Sequence, residues 1–119
     1  MSFRKILQRF IDETNQGAKK DHNMKEALKK YDGKRVFLNV IGDTTYAVAI
    51  SSEAASLILD ATPHPEDMSI EMNRETAQKI VDQEISPLQL TSMIFSGKIK
   101  IRNIGKKEIE LIRKLYRGF

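Results

Sequence analysis

The sequence contains no cysteine and no tryptophan. Without cysteine there is no disulfide framework, no thiolate metal site and no thiol nucleophile. Its two histidines, His22 and His64, stand far apart in the chain, which argues against a clustered imidazole site. No apolar run approaches the ~20 residues that a bilayer-spanning helix needs. The stretch Met1-Ser2-Phe3-Arg4-Lys5 has neither the apolar segment nor the small-residue cleavage site of a secretory leader. Arg117-Gly118-Phe119 is not a peroxisomal address. These features lead us to expect a cytoplasmic location. What remains is 119 residues, 40% hydrophobic and 30% charged. That is the composition of one folded domain, long enough to bury about two-thirds of its unfolded surface around a single core.

The net charge of +4 is unevenly spread. Residues 53–84 hold two basic and eight acidic side chains, and residues 85–119 hold eight basic and two acidic ones. A basic C-terminal third could attract phosphate, on nucleic acid or on an anionic membrane surface. It could equally be a solvated face that pairs with the acidic middle.

Periodicity orders the chain. Phe3, Ile6, Leu7, Phe10 and Ile11 follow the helical repeat, which predicts an N-terminal amphipathic helix that ends at Asn15-Gln16-Gly17. Residues 1–20 are therefore expected to form that helix and a linker, with residues 21–119 as the domain proper. Asn23 is the expected cap of a second helix, with Glu26 placed to close a capping box and Met24, Ala27, Leu28 and Tyr31 on one face. Asp32-Gly33 turns the chain. The period then becomes two. Val36, Leu38 and Val40 alternate with Phe37 and Asn39, and Tyr46, Val48 and Ile50 alternate with Ala47 and Ala49. Gly42-Asp43 between them is a hairpin signal. Ser52-Glu53-Ala54-Ala55 could open a helix, but Leu57-Ile58-Leu59 running into Asp60, Thr62, Pro63 and Pro65 favours a third strand, and Met68, Ile70 and Met72 predict a fourth.

Asn73 caps a helix whose stripe is Ala77, Ile80 and Val81. Ser86-Pro87-Leu88-Gln89 combines a Ser cap, Pro at the first helical position and Gln at the third, a specific start signal. Gly97 ends that helix. Lys98-Ile99-Lys100-Ile101-Arg102 predicts a strand with one basic and one apolar face. A last helix carries Ile109, Ile112, Leu115 and Tyr116. The order is helix, helix, four strands, two helices, strand, helix. It predicts an α+β fold: a five-stranded, mainly antiparallel sheet covered on one side by helices.

No catalytic set emerges. There is no Gly-x-Ser-x-Gly elbow, no phosphate-cradling loop and no dinucleotide fingerprint. Glu66-Asp67 after Pro65 reads as a solvated turn rather than a catalytic pair. His64, between two prolines, has no second ligand in view. The chain is therefore expected not to be an enzyme, and no cofactor is expected. Nucleic acid is disfavoured as a partner, because single-strand platforms stack bases on exposed aromatics and the basic strand interleaves lysine with isoleucine. Five methionines and five phenylalanines remain. Flexible methionines suit a cavity for varied apolar guests, yet they also fill ordinary cores. On composition alone, a basic nucleic-acid-binding or protein-interaction module with a filled core stays open.

The run Asp67-Met68-Ser69-Ile70-Glu71-Met72, a helix, Ser86-Pro87-Leu88, Met93 and Gly97-Lys98-Ile99-Lys100-Ile101 resembles the sterol carrier protein type 2 (SCP-2) domain. The likeness covers about residues 24–117. Asn103 stands where that family often has a glycine after the basic strand. The resemblance implies a sheet and helices with an apolar tunnel between the layers. It also implies non-enzymatic binding and carriage of a fatty acid, acyl-CoA, isoprenoid or sterol. On that reading Val48, Ile50, Leu88, Met93, Ile94 and Phe95 would line the tunnel, with Ile112 and Tyr116 as a lid. Lys98, Lys100 and Arg102 would meet an anionic head group or membrane surface. The N-terminal helix would dock on the core, lie on a membrane or pair with a second copy in a homodimer.

Overall fold

The computed structural model describes residues 2–82 and 84–110. Helix α1 spans Phe3–Lys20 and α2 spans His22–Lys30. Strands follow at β1 Arg35–Ile41, β2 Thr45–Ile50, β3 Ala55–Leu59 and β4 Met68–Asn73. Helices α3 Arg74–Val81 and α4 Pro87–Ser96 lead to β5 Lys100–Arg102, and residues 106–110 are again helical.

The first helix outruns its expected stop. Gly17 is not among the residues with positive φ, so it does not make the left-handed turn by which a glycine ends a helix. The helix ends instead at Asp21, whose backbone N–H reaches the Gly17 carbonyl at 2.7 Å. Asp21 serves both helices, because its carboxylate accepts from the Asn23 N–H at 2.9 Å and so caps α2. Asn23, the expected cap, lies inside α2. Glu26 approaches His22 and Lys29 rather than closing a capping box.

The sheet is mixed, in the order β3-β2-β1-β4-β5. β1 pairs antiparallel with β2 and parallel with β4, while β2–β3 and β4–β5 are antiparallel. The register places the apolar alternates of all five strands on one face. Val48, Val36 and Met68 lie side by side across it, as do Tyr46, Leu38 and Ile70, and Ile101 adjoins Ile70. This face and the helices form the main core, with Ile11 of α1 buried to 1% exposure at its centre.

The other face is mostly polar. Asn39, Glu71 and Lys100 stand in a row, with Asn39 donating to Glu71 at 3.2 Å and Lys100 3.9 Å from it. β3 and β4 run in the same direction, so residues 60–67 must travel from one end of the sheet to the other. Eight extended residues reach about 26 Å, enough for the length of these strands. They cross the polar face as a strap, and Ala61 closes a small second core over Phe37 and Ala47. Thr45 donates to the Ala61 carbonyl at 2.8 Å.

The strap is anchored by a carboxylate expected to be solvated. Asp67 is 4% exposed and pairs with Arg35 at 3.1 Å, and its Oδ2 also accepts from the His64 N–H at 2.9 Å. Glu66 is the exposed member of the two. Asn103 completes the anchor. It holds the left-handed conformation, φ 58°, that glycine or asparagine adopts most readily, and its amide donates to the carbonyls of Pro65 and Asp67 at 3.2 and 3.0 Å. The side chain thus supplies contacts a glycine would lack.

Candidate functional site

The capping signature at Ser86 is fully formed. The Gln89 N–H donates to the Ser86 hydroxyl at 3.1 Å, and the Gln89 side chain accepts from the Ser86 N–H at 2.8 Å. Gly97 ends α4 in the left-handed conformation at φ 84°. These two ends fix α4 over the apolar face. α1 is fixed separately. Its Asn15 side chain pairs with the edge strand as a neighbouring strand would, donating to the Ala55 carbonyl at 2.9 Å and accepting from the Ala55 N–H at 2.7 Å.

The helices do not settle flush on the sheet. Between the layers lies a cavity of about 310 Å³. α1 contributes Phe3, Ile6, Leu7, Phe10, Ile11 and Thr14 to its wall, and α2 contributes Met24, Ala27 and Leu28, with its C-cap Tyr31 beside them. The floor is Val36, Leu38, Val48, Ile50, Ala55, Met68, Ile70 and Met72 of the sheet. Ile80, Leu90, Ile94, Ile99, Ile101, Ile104 and Glu108 close the remaining side. Among these lining residues only Thr14, Tyr31 and Glu108 carry a polar side-chain atom. The Thr14 hydroxyl is already committed to the Phe10 carbonyl at 2.9 Å. An engineered apolar cavity of roughly 150 Å³ stays dry and accepts benzene, and this one has about twice that volume. Three methionines on its wall can repack around guests of different shape.

Two buried tyrosines flank this space. Burial pushes the Tyr31 hydroxyl above the usual tyrosine range, and the Glu108 carboxylate beside it pushes in the same direction. Burial likewise raises Tyr46, with Asp43 adding charge and a hydrogen bond and Asp60 a further push, against an opposing effect of Arg4. Phe3 packs its ring against Tyr46 at 5.6 Å between centroids.

The residues expected in the lining divide. Val48, Ile50 and Ile94 line the cavity. Met93 packs against the main core and borders a second hollow, of about 350 Å³, with Lys79, Glu84, Ile85, Gln89, Ser92 and Lys98. That hollow's charged and polar wall makes it a poor apolar site. Leu88 and Phe95 point outward, 73% and 78% exposed. At 100° per residue, Leu90, Met93 and Ile94 share one side of α4, and Leu88 and Phe95 stand together on the opposite side. The apolar letters of α4 thus cover both faces, and only the capped geometry shows which side is inward. Ile112 and Tyr116, the expected lid, lie outside the described residues. Lys100 and Arg102 project from the polar face of β5, and Lys98 is exposed before it.

The contribution of α1 and α2 to the wall was not anticipated. The signal was present in Leu7, Ile11, Ala27 and Leu28, which lie on the apolar faces that periodicity marks. No residue cluster able to hold a metal ion occurs among the described residues. No helix among them is long and apolar enough to cross a membrane.

Comparison with solved structures supports this architecture. A protein described as "UbiJ-SCP2 Ubiquinone synthesis protein" superposes with a TM-score of 0.63 at 15% identity, covering 98% of this chain and 97% of its own. The stereoselective inverting sec-alkylsulfatase Pisa1 from Pseudomonas sp. gives 0.55 at 12% identity, over 76% of this chain but 14% of the sulfatase. A double mutant of the sec-alkyl sulfatase PisA1 also gives 0.55, at 13% identity over 74% of this chain and 14% of its own. At such identities the likeness concerns the fold. No curated protein sequence matches the chain. Residues 11–114 match the SCP-2 sterol transfer family, nearly the whole length, and the chain belongs to that family.

Proposed function

We propose that this protein binds and carries a lipid-like molecule in the cavity between sheet and helices, without chemical conversion. The observation that carries the reading is the cavity itself, about 310 Å³ and walled almost wholly by hydrocarbon. An acyl, isoprenoid or sterol body fits that chemistry. Each methylene withdrawn from water contributes about 0.8 kcal/mol, so ten give roughly 8 kcal/mol before association costs. A micromolar complex needs about that much net of those costs, so the guest must bury more than ten methylenes or their equivalent. Val48, Ile50 and Ile94 would touch the guest from floor and roof. The volume lies at the lower end of the ~300–1,000 Å³ of small-molecule sites, so a long guest would occupy it by displacing the methionine side chains. Transfer to and from membranes would use brief contact of Lys98, Lys100 and Arg102 with anionic lipid.

A fluorescent long-chain lipid titrated into the protein tests the reading. Saturable binding that unlabelled lipid competes away is the expected result. Ala27→Phe, which fills the cavity from α2, is expected to abolish binding while the circular dichroism of the fold persists. Absence of binding across acyl, isoprenoid and sterol probes would refute a carrier role. Association that falls steeply with salt and requires nucleic acid would favour the filled-core alternative.

A further inference from the structure

Apart from Thr14, whose hydroxyl is bonded within α1, the polar side chains of the cavity wall stand together. Tyr31 closes α2 at its C-terminal end, and Glu108 lies in the first turn of the helical stretch 106–110. Both stand at the end of the sheet where β1 and β4 begin and β5 finishes, beside Val36, Met68 and Ile101. The Tyr31 hydroxyl and the Glu108 carboxylate are neighbours on this wall, close enough for the carboxylate to raise the tyrosine pKa. Glu108 also lies close over its own helix start, since a Cβ added at Gly105 would meet its Oε2 at 3.0 Å. The position is thus defined from two sides. Lys30 and Lys34 hold their ammonium groups 5.6 and 5.9 Å from the centroid of the Tyr31 ring, on exposed side chains.

A carboxylate is an acceptor with about four lone-pair sites, more than its neighbour Tyr31 could fill. The remaining sites can accept from a hydroxyl on a guest. A guest carboxylate would instead meet a like charge in a partly desolvated place. We propose that Glu108, beside Tyr31 on the cavity wall, reads the head of the guest, so that the cavity selects apolar molecules ending in an uncharged hydroxyl over those ending in a carboxylate. This rests on the carrier reading and names the class of cargo within it. Arrival of such a guest requires no proton transfer, only a hydrogen bond donated to Glu108.

The test compares a long-chain alcohol with the fatty acid of the same chain length at neutral pH, each displacing one fluorescent probe. The alcohol is expected to bind at least roughly tenfold tighter, a gap between that of a like-charge contact in bulk water and one near a protein surface. Glu108→Gln keeps the side-chain shape and removes the charge, and is expected to bring the two affinities within about twofold. An acid that binds as tightly as the alcohol would overturn the assignment. So would a preference that Glu108→Gln leaves unchanged. An acid favoured at low salt but not at high salt would assign the head-group end to Lys30 and Lys34 instead, again overturning it. If neither compound binds, the carrier reading fails first, and that result is distinct from the other three.

Discussion

Replacing Asn15 by alanine probes how α1 is held over the cavity. The Asn15 side chain makes two hydrogen bonds to Ala55, at 2.9 and 2.7 Å, and Ala55 is 8% exposed at the outer edge of β3. Each bond contributes about 0.5–1.5 kcal/mol net, and a buried group left without a partner costs about 1–3 kcal/mol. Water can reach part of the gap left by the shorter side chain, so the full penalty will not fall on both groups. The expected loss is about 2–4 kcal/mol, a fall in Tm of roughly 8–16 °C for a domain of this length. Gln16→Ala is the control, because Gln16 sits beside Asn15 on the exposed side of the same helix and should change stability by less than about 0.5 kcal/mol. Urea unfolding followed by circular dichroism measures both. α1 also supplies six lining residues, so Asn15→Ala should speed release of a bound probe as well as weaken the fold. If Asn15→Ala costs no more than Gln16→Ala, the pinning of α1 to the edge strand is refuted.

Other perturbations test separate parts of the account. Leu90→Ala should cost about 2–5 kcal/mol because Leu90 is buried against the cavity, and Leu88→Ala should stay within about 0.5 kcal/mol; equal costs would mean that α4 faces the other way. Asp67→Asn removes the charge from a buried pair and leaves Arg35 uncompensated, so urea unfolding should register a loss of about 3–5 kcal/mol, and a neutral result would show the strap to be held by other contacts. Tyr31 and Tyr46 hold their protons more firmly folded than unfolded, so their contribution is full below the ordinary tyrosine pKa of about 10 and is lost as pH rises through their folded values. Thermal stability should therefore decline in that alkaline window, and Tyr31→Phe should reduce the decline.

Much of this architecture is legible from spacing alone. Strands β1, β2 and β4 are legible from a period of two, because one face meets core and the other meets water or the strap, whereas β3, a continuous Leu57-Ile58-Leu59 run after a stretch that could open a helix, is legible only from the turn residues that follow it. The start of α4 is legible because Ser86, Pro87 and Gln89 each satisfy a local backbone requirement that no distant contact alters. Features decided by distant contacts are harder to see. Gly17 could end a helix or continue it, and the choice fell to Asp21, which satisfies two helix ends at once. Leu88 and Phe95 carry the same letters as core residues, and only the capped ends of α4, set against the sheet, turn them outward. Asp67 reads as a turn residue until Arg35, far away in sequence, is brought beside it. The cavity wall was half legible. Val48, Ile50 and Ile94 could be named from alternation and resemblance, whereas the share of α1 and α2 depends on how two amphipathic faces settle on one sheet.

The central claim is that the space between the layers holds an apolar guest. Native mass spectrometry of freshly purified protein tests it most directly. The account predicts a population heavier than the bare chain, whose added mass organic solvent removes and which Ala27→Phe lacks. A bare mass for the unaltered protein, before and after incubation with excess long-chain alcohol, acid, isoprenoid and sterol, would contradict it.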